Sequence, residues 1–165
     1  MRKESRFFTD DEMQRIIAGA PEPPKTILII LAVLGLRTGE ALALRVCDVD
    51  FAKHVIRIRQ SVDAATRTVG AVKSKASSAD LPMSRELEAH LRAHLQRHDG
   101  KSDLLFVNRR GRPFSGNKLR EKQLHLLLDA LGIPRGGFQF DTSRCSQFPA
   151  RRRRNPGRCA AATTA

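Results

Sequence analysis

Apolar and polar positions recur along this chain with two periods, and each change of period marks an element. Thr9-Asp-Asp-Glu12 has the spacing of a capping box, in which the threonine accepts from the helix start and the glutamate reaches back. Met13, Ile16 and Ile17 continue as a helical stripe, and Pro21-Glu-Pro-Pro24 breaks it. Lys25 to Leu34 is apolar all round, which predicts a buried helix punctuated by Gly35. Glu40 to Val46 predicts a short third helix, with Asp48–Asp50 as its exit turn. His54 to Gln60 alternates apolar and basic residues, the period of a strand. Thr68 to Val72 and Ala79 to Pro82 predict two further short strands, with Lys73 to Ser78 as a polar hairpin between them. The expected product is one small antiparallel sheet with one charged face.

Ser84 is placed to cap a helix with Leu87, Leu91 and Leu95 on one face, ended by Asp99-Gly100. Leu104 to Val107 reads as extended, and Asn108 to Pro113 as a basic turn. Ser115 opens an amphipathic helix carrying Leu119, Leu124, Leu127, Leu128 and Leu131, terminated by Gly132. From about Phe148 the pattern collapses, and the Arg-rich tail has no core residues with which to fold. The fold class expected is mainly α with a small antiparallel β-sheet (α+β). The expected division is a lead-in at 1–8, a folded unit at 9–147 and a disordered tail at 148–165.

At 165 residues the chain makes one domain, or one domain with a tail. Its net charge of +13 changes the picture, because an excess this large calls for a polyanionic partner. Residues 149–165 hold five arginines and no acid, yet the remainder is basic in its own right. Cys47, Cys145 and Cys159 show neither metal spacing nor a disulfide framework, which fits a reduced cytosolic compartment. The longest apolar run, Ile27 to Leu36, is about half the roughly twenty residues a bilayer requires, and no signal-peptide pattern opens the chain. His90, His94 and His98 share a helix face at a spacing that can bind metal, but no acid or cysteine joins them. They are expected to be a solvated flank. No metal and no cofactor is called for.

Gly35-Leu-Arg-Thr-Gly-Glu-Ala-Leu-Ala-Leu-Arg45 carries the most chemistry. A guanidinium at a helix junction beside a packed core is suited to bidentate grip on a phosphate. The segment resembles the first catalytic box of the tyrosine recombinases, the phage-integrase family of DNA strand-transfer enzymes. The resemblance implies an incomplete tyrosine-recombinase catalytic-domain fold over 9–147. In that family a tyrosine hydroxyl attacks a phosphodiester. Two arginines and a histidine stabilise the charge on the non-bridging oxygens, and a hairpin lysine protonates the leaving 5′ oxygen.

Carried over by resemblance, Arg37 is the first arginine, and Glu40 and Asp48 are its supporting acids. Lys73-Ser-Lys-Ala-Ser-Ser-Ala-Asp-Leu-Pro-Met83 is similar to the family hairpin Lys-Thr-Lys-Ser-Ser-Arg-Arg-Thr-Ile-Pro-Leu. It makes Lys73 the general acid and leaves Lys75 as rival assignment and DNA contact. The usual arginines are here replaced by Ser78-Ala79-Asp80. The third box, His-x-x-Arg-His in the family, reads Asp141-Thr-Ser-Arg144-Cys145. Arg144 fits the second arginine, whereas a carboxylate at 141 would repel a scissile phosphate. The turn arginines Arg109, Arg110 and Arg112 are candidates for backbone phosphate contacts.

The chain contains no tyrosine. Residues 149–164, back-translated with permitted codons and reread one nucleotide later, can give Leu-Leu-Asp-Ala-Gly-Gly-Ile-Pro-Val-Asp-Val-Arg-Gln-Arg-Arg-Leu. That is close to the helix-turn-helix the family has at this place, so the tail is expected to be a frameshift product. The helical domain that normally precedes the catalytic one is also missing, as in a fragment or a degenerate gene product. The expected partner is double-stranded DNA, with no membrane, in a bacterial cytosol or nucleoid. An intact recombinase protomer is a second candidate partner. The expected function is a DNA-binding remnant of a site-specific recombinase that cannot cleave DNA alone. The alternatives are a non-catalytic regulator of an intact recombinase and a non-functional product.

Overall fold

The computed structural model describes residues 8–71 and 78–135. Helix α1 (Asp10–Gly19) starts on the capping box: Glu12 N–H donates to Thr9 Oγ1, and Thr9 N–H donates to Glu12 Oε2 at 3.0 Å. Helix α2 (Pro24–Leu34) ends where Gly35 adopts φ 58°, a left-handed cap that glycine takes without a Cβ penalty. Its apolar circumference is used on two sides. Ile27, Ile30, Leu31 and Leu34 face a main core, while Leu28 and Ala32 face a second core against Met13, Ile16, Leu124 and Leu128. One helix thus joins two packed layers, which is why no polar stripe is left on it.

The third helix, α3 (Thr38–Leu42), starts and ends earlier than the sequence predicts. Tertiary pairing takes the chain out of the helix: Leu105 N–H donates to Leu44 C=O at 2.7 Å, and Val46 N–H to Asp103 C=O at 2.8 Å. The expected exit turn is instead a short 3-10 turn, Val46–Asp48, followed by strand β1 (Val49–Asp50).

The strands form two small antiparallel ladders rather than one. β2 (Val55–Ile58) lies between β1 and β5 (Ala79–Pro82), with Ile56 opposite Leu81 and Arg57 opposite Asp80. β3 (Gln60–Val62) pairs with β4 (Val69–Ala71). Between them Arg59 closes the first ladder: its guanidinium donates to Ile58 C=O, Ala79 C=O and Asp80 Oδ1. The basic face expected of this strand is therefore largely neutralised, Arg57 by Asp50 and Arg59 by Asp80.

Helix α4 (Arg85–Gln96) is capped by Ser84 Oγ and buries Leu87 and Leu91. It stops at Gln96, ahead of Asp99-Gly100. Its histidines are not a plain solvated flank. His94 Nε2 donates to Leu105 C=O at 2.8 Å, and His98 Nε2 to Leu104 C=O at 2.9 Å, while His98 Nδ1 accepts from Gly100 N–H. These bonds hold residues 104–106 against α4 and occupy both ring nitrogens of His98. The last helix runs from Gly116 to Leu131 as α5 (Gly116–Leu119), a π turn (Arg120–Leu124) and α6 (His125–Leu131), and Gly132 ends it at φ 67°. Among the described residues no helix is long and apolar enough to cross a membrane.

Glu88 on α4 receives both Arg92, at 2.7 and 2.9 Å, and His54 Nδ1, at 2.8 Å. The Arg92 bond, then the His54 bond, hold its carboxyl below the ordinary value of 4.5. A depressed carboxyl stabilises the fold above its unfolded value, and that contribution is lost as the pH falls through the folded one. The melting temperature is expected to drop as the pH is lowered past about 4.5, and Glu88→Gln to drop less steeply there. Identical slopes for the two proteins in a thermal-melt series from pH 7 to 3 would contradict this.

Candidate nucleic-acid interface

Arg37 sits on the junction between α2 and α3, directly after a buried Leu36. Its backbone, not its side chain, is tied down: Arg37 N–H donates to Glu40 Oε2 at 3.0 Å. Glu40 is 5% exposed and closes the first turn of α3 from inside the core. The Arg37 side chain is 82% exposed, with only a 4.0 Å approach of Nη1 to Glu40 Oε1. The base of the side chain is fixed while its guanidinium fork faces water, available to an external anion.

Gly39, two residues on, explains how this junction is held. A Cβ there would lie 2.6 Å from Val62 C=O and 2.7 Å from Ser61 Oγ. Only glycine lets α3 come this close to β3. The β3–β4 hairpin is thereby pressed onto the helix that carries Arg37, and the chain leaves β4 at Ala71, next to the lysine-bearing segment. Lys73 and Lys75 lie outside the described residues, as do Asp141, Arg144 and Cys145.

Asp48, 3% exposed, clamps Arg45. Arg45 N–H and Nε both donate to Asp48 Oδ2 at 3.0 Å, and Nη2 to Oδ1 at 2.9 Å. The acid's hydrogen bond and charge raise the Arg45 pKa above its ordinary value. Asp48 therefore supports the turn after α3 by holding Arg45. It is not paired with Arg37. Arg45, three residues before it, was overlooked in the sequence, although that spacing was legible.

The basic turn forms as expected, and its geometry comes from Asn108. Asn108 Oδ1 accepts from Arg110 N–H at 2.9 Å and Arg112 N–H at 3.2 Å, and Gly111 takes φ 70°. Arg109, Arg110 and Arg112 are all exposed, and among the described residues none has an acid within pairing distance. This turn is joined to the β3–β4 hairpin by Arg67, whose Nη2 donates to Pro113 C=O. Arg67 was not singled out from sequence, because nothing local to it signals a partner 46 residues away. Arg37, the hairpin and the basic turn thus belong to one connected surface, with Gly116 packed 3.2 Å from the Thr38 methyl for an added Cβ. Among the described residues no three His, Cys, Asp or Glu side chains gather to hold a metal ion.

Comparison with known proteins bears on the family and the fold. The profile of the phage integrase family matches residues 6–136. A protein named as a prophage phiRv2 integrase, from two strains of Mycobacterium tuberculosis, is 31% identical over 105 residues, 61% of this chain. The chain spans 28% of that relative's length. Among solved structures it is similar to the Tn1549 transposon integrase in complex with circular intermediate DNA (TM-score 0.66, 17% identity, 79% of this chain, 47% of that one). It is also similar to XerA recombinase (TM-score 0.63, 23% identity, 82% and 47%). A third similar structure is a lambda integrase dimer bound to a core site (TM-score 0.57, 15% identity, 90% and 53%). At these identities the structural likeness speaks for the fold, that of the tyrosine-recombinase catalytic domain over part of its length. With the family profile covering most of the chain, the conclusion is direct: this protein belongs to the phage integrase family.

Proposed function

We propose that this chain is a DNA-binding portion of a site-specific recombinase catalytic unit, spanning roughly residues 9–147, that does not cleave DNA by itself. The observation that carries the reading is Arg37: a guanidinium held at its backbone by a buried glutamate and left open to an external phosphate. The unpaired turn arginines Arg109, Arg110 and Arg112 extend the same positive surface, and the net charge of +13 supports it. Lys73, Lys75 and Arg144 are assigned to the phosphate by resemblance, with Glu40 and Asp48 in supporting roles. The absence of tyrosine from these residues removes the family's nucleophile, so the arginines here bind and do not assist cleavage. Such a chain would act by occupying sites that an intact recombinase also uses.

Filter binding across a salt series tests this. The four contacts of Arg37, Arg109, Arg110 and Arg112 predict that log affinity falls with log salt at a slope of about −3 to −4, and contacts from Lys73, Lys75 and Arg144 would steepen it to about −6. A flat response excludes phosphate-driven binding. A suicide substrate should trap no protein–DNA adduct, and recovery of one would overturn the non-cleaving assignment.

A further inference from the structure

Arg67 holds two unfavourable local features at once. Its backbone takes φ 57°, a left-handed conformation that glycine or asparagine accepts more readily than arginine. Its Nε is buried without a hydrogen-bond partner, so the donor has lost its water and gained nothing in exchange. The turn that contains it does not call for a long basic side chain. Asp63 Oδ1 accepts from Ala65 N–H, Thr66 N–H and the Thr66 hydroxyl, and the Thr66 and Thr68 hydroxyls bond to each other. Arg67 itself closes the turn through its backbone, N–H to Asp63 C=O. An arginine kept in a strained and partly unsatisfied position is explained by what its far end reaches.

The far end reaches Pro113 C=O, 46 residues away. Proline has no N–H, so that carbonyl is the one hydrogen-bonding group its main chain offers. Pro113 ends the basic turn, where a bridge to Val107 closes the stem. Above the stem the turn is shaped by Asn108, whose Oδ1 accepts from Arg110 and Arg112 N–H and whose own N–H donates to Arg112 C=O. All of these bonds lie within residues 108–112, so they fix the form of the turn and not its direction. The Arg67 bond comes from outside, from a hairpin that Gly39 lets press onto α3, the helix that opens at Arg37. It ties the tilt of the basic turn to the Arg37 junction. With Nη2 on the carbonyl and Nε out of reach of water, little of the fork is left for a phosphate.

We propose that Arg67 is a positioning residue: it touches no phosphate itself, and it holds the turn carrying Arg109, Arg110 and Arg112 at a fixed angle to Arg37, so that the four guanidinium groups are presented together. The proposal rests on the DNA-binding reading given above. The test compares the full chain, Arg67→Met, the triple variant Arg109→Ala/Arg110→Ala/Arg112→Ala, and the combination of the two. Methionine keeps the apolar bulk of the side chain and removes its donors and its charge. In fluorescence anisotropy at low salt, Arg67→Met should bind a labelled duplex about fivefold more weakly. In the triple variant the same change should cost less than about twofold, because the turn it positions no longer carries charge. Equal losses in both backgrounds would make Arg67 a direct contact and overturn the proposal. Unchanged binding by Arg67→Met would do the same, and would leave the bond as a staple of the fold. NMR relaxation without DNA gives a separate readout: backbone order parameters of residues 109–112 should fall from about 0.85 toward about 0.6 in Arg67→Met, with those of α2 unmoved. A turn that stays rigid, or a chain that loosens throughout, would refute the positioning role. An unaltered chain without salt-dependent binding would bring down the DNA-binding reading, and the relaxation result would then decide by itself whether Arg67 fixes the turn.

Discussion

Arg37→Ala is expected to weaken binding to duplex DNA about tenfold to a hundredfold and to leave thermal stability unchanged. The size follows from losing hydrogen bonds to a charged group, about 1.5–3 kcal/mol, with each 1.4 kcal/mol worth a factor of ten. The neutrality toward stability follows from the geometry. The bond that starts α3 is donated by the Arg37 backbone N–H to Glu40, so truncating the side chain leaves the cap in place. The guanidinium itself is 82% exposed and makes no buried contact to lose. Arg37→Lys should fall between the two, since it keeps the charge but lacks the planar fork. The salt slope should become shallower by about one for Arg37→Ala. Unchanged affinity in anisotropy titrations would remove Arg37 from the interface, and a lowered melting temperature would reassign it to the fold.

Phe106→Ala is expected to cost about 3–5 kcal/mol, a large part of the roughly 5–15 kcal/mol typical of a whole domain. Phe106 is fully buried in the main core, with the His94 ring 4.9 Å away. The segment around it does more than fill space. Its neighbours Leu104 and Leu105 accept the two α4 histidines, and Leu105 N–H holds Leu44 at the end of α3. A cavity at 106 therefore loosens the contact that ends α3 and, through it, the Arg45–Asp48 clamp. Chemical denaturation should show a lower midpoint with little change of slope. A loss below about 1 kcal/mol would mean that this segment lies outside the cooperative core.

Elements whose signals are local were legible. The capping box at Thr9, the buried α2 with its Gly35 stop, strand Ala79–Pro82 and the Ser84-capped helix all depend on residues within a turn or two of one another. The misread elements share a different cause. The end of α3 is decided by residues 103–105, about sixty positions away in the chain. The single sheet became two ladders that meet at Arg59, whose guanidinium reaches Asp80 on β5, a partner twenty-one positions away. The histidine flank found carbonyl acceptors on a segment that periodicity described only as extended. The π turn lay in plain view as the interval of five between Leu119 and Leu124, an interval that fits neither helical spacing of three or four.

The site divides in the same way. Arg37, Glu40 and Asp48 could be named from the sequence because the resemblance to the recombinase box rests on them, and the turn arginines from the basic run at 108–113; the roles of all of them in the site stand as proposed. Lys73, Lys75 and Arg144 lie outside the described residues, so their part in the site stands as proposed.

Apolar period, caps and breakers were enough to place the helices, the basic excess and the family box along the chain. They could not say which arginines are spent and which are free. Arg45, Arg57 and Arg59 are held by Asp48, Asp50 and Asp80, while Arg37 and the turn arginines face water. A guanidinium's availability depends on the carboxylate or carbonyl the fold brings beside it. For Arg59 and Arg67 that partner comes from a distant strand or turn, so only the tertiary structure decides which charges remain for a phosphate.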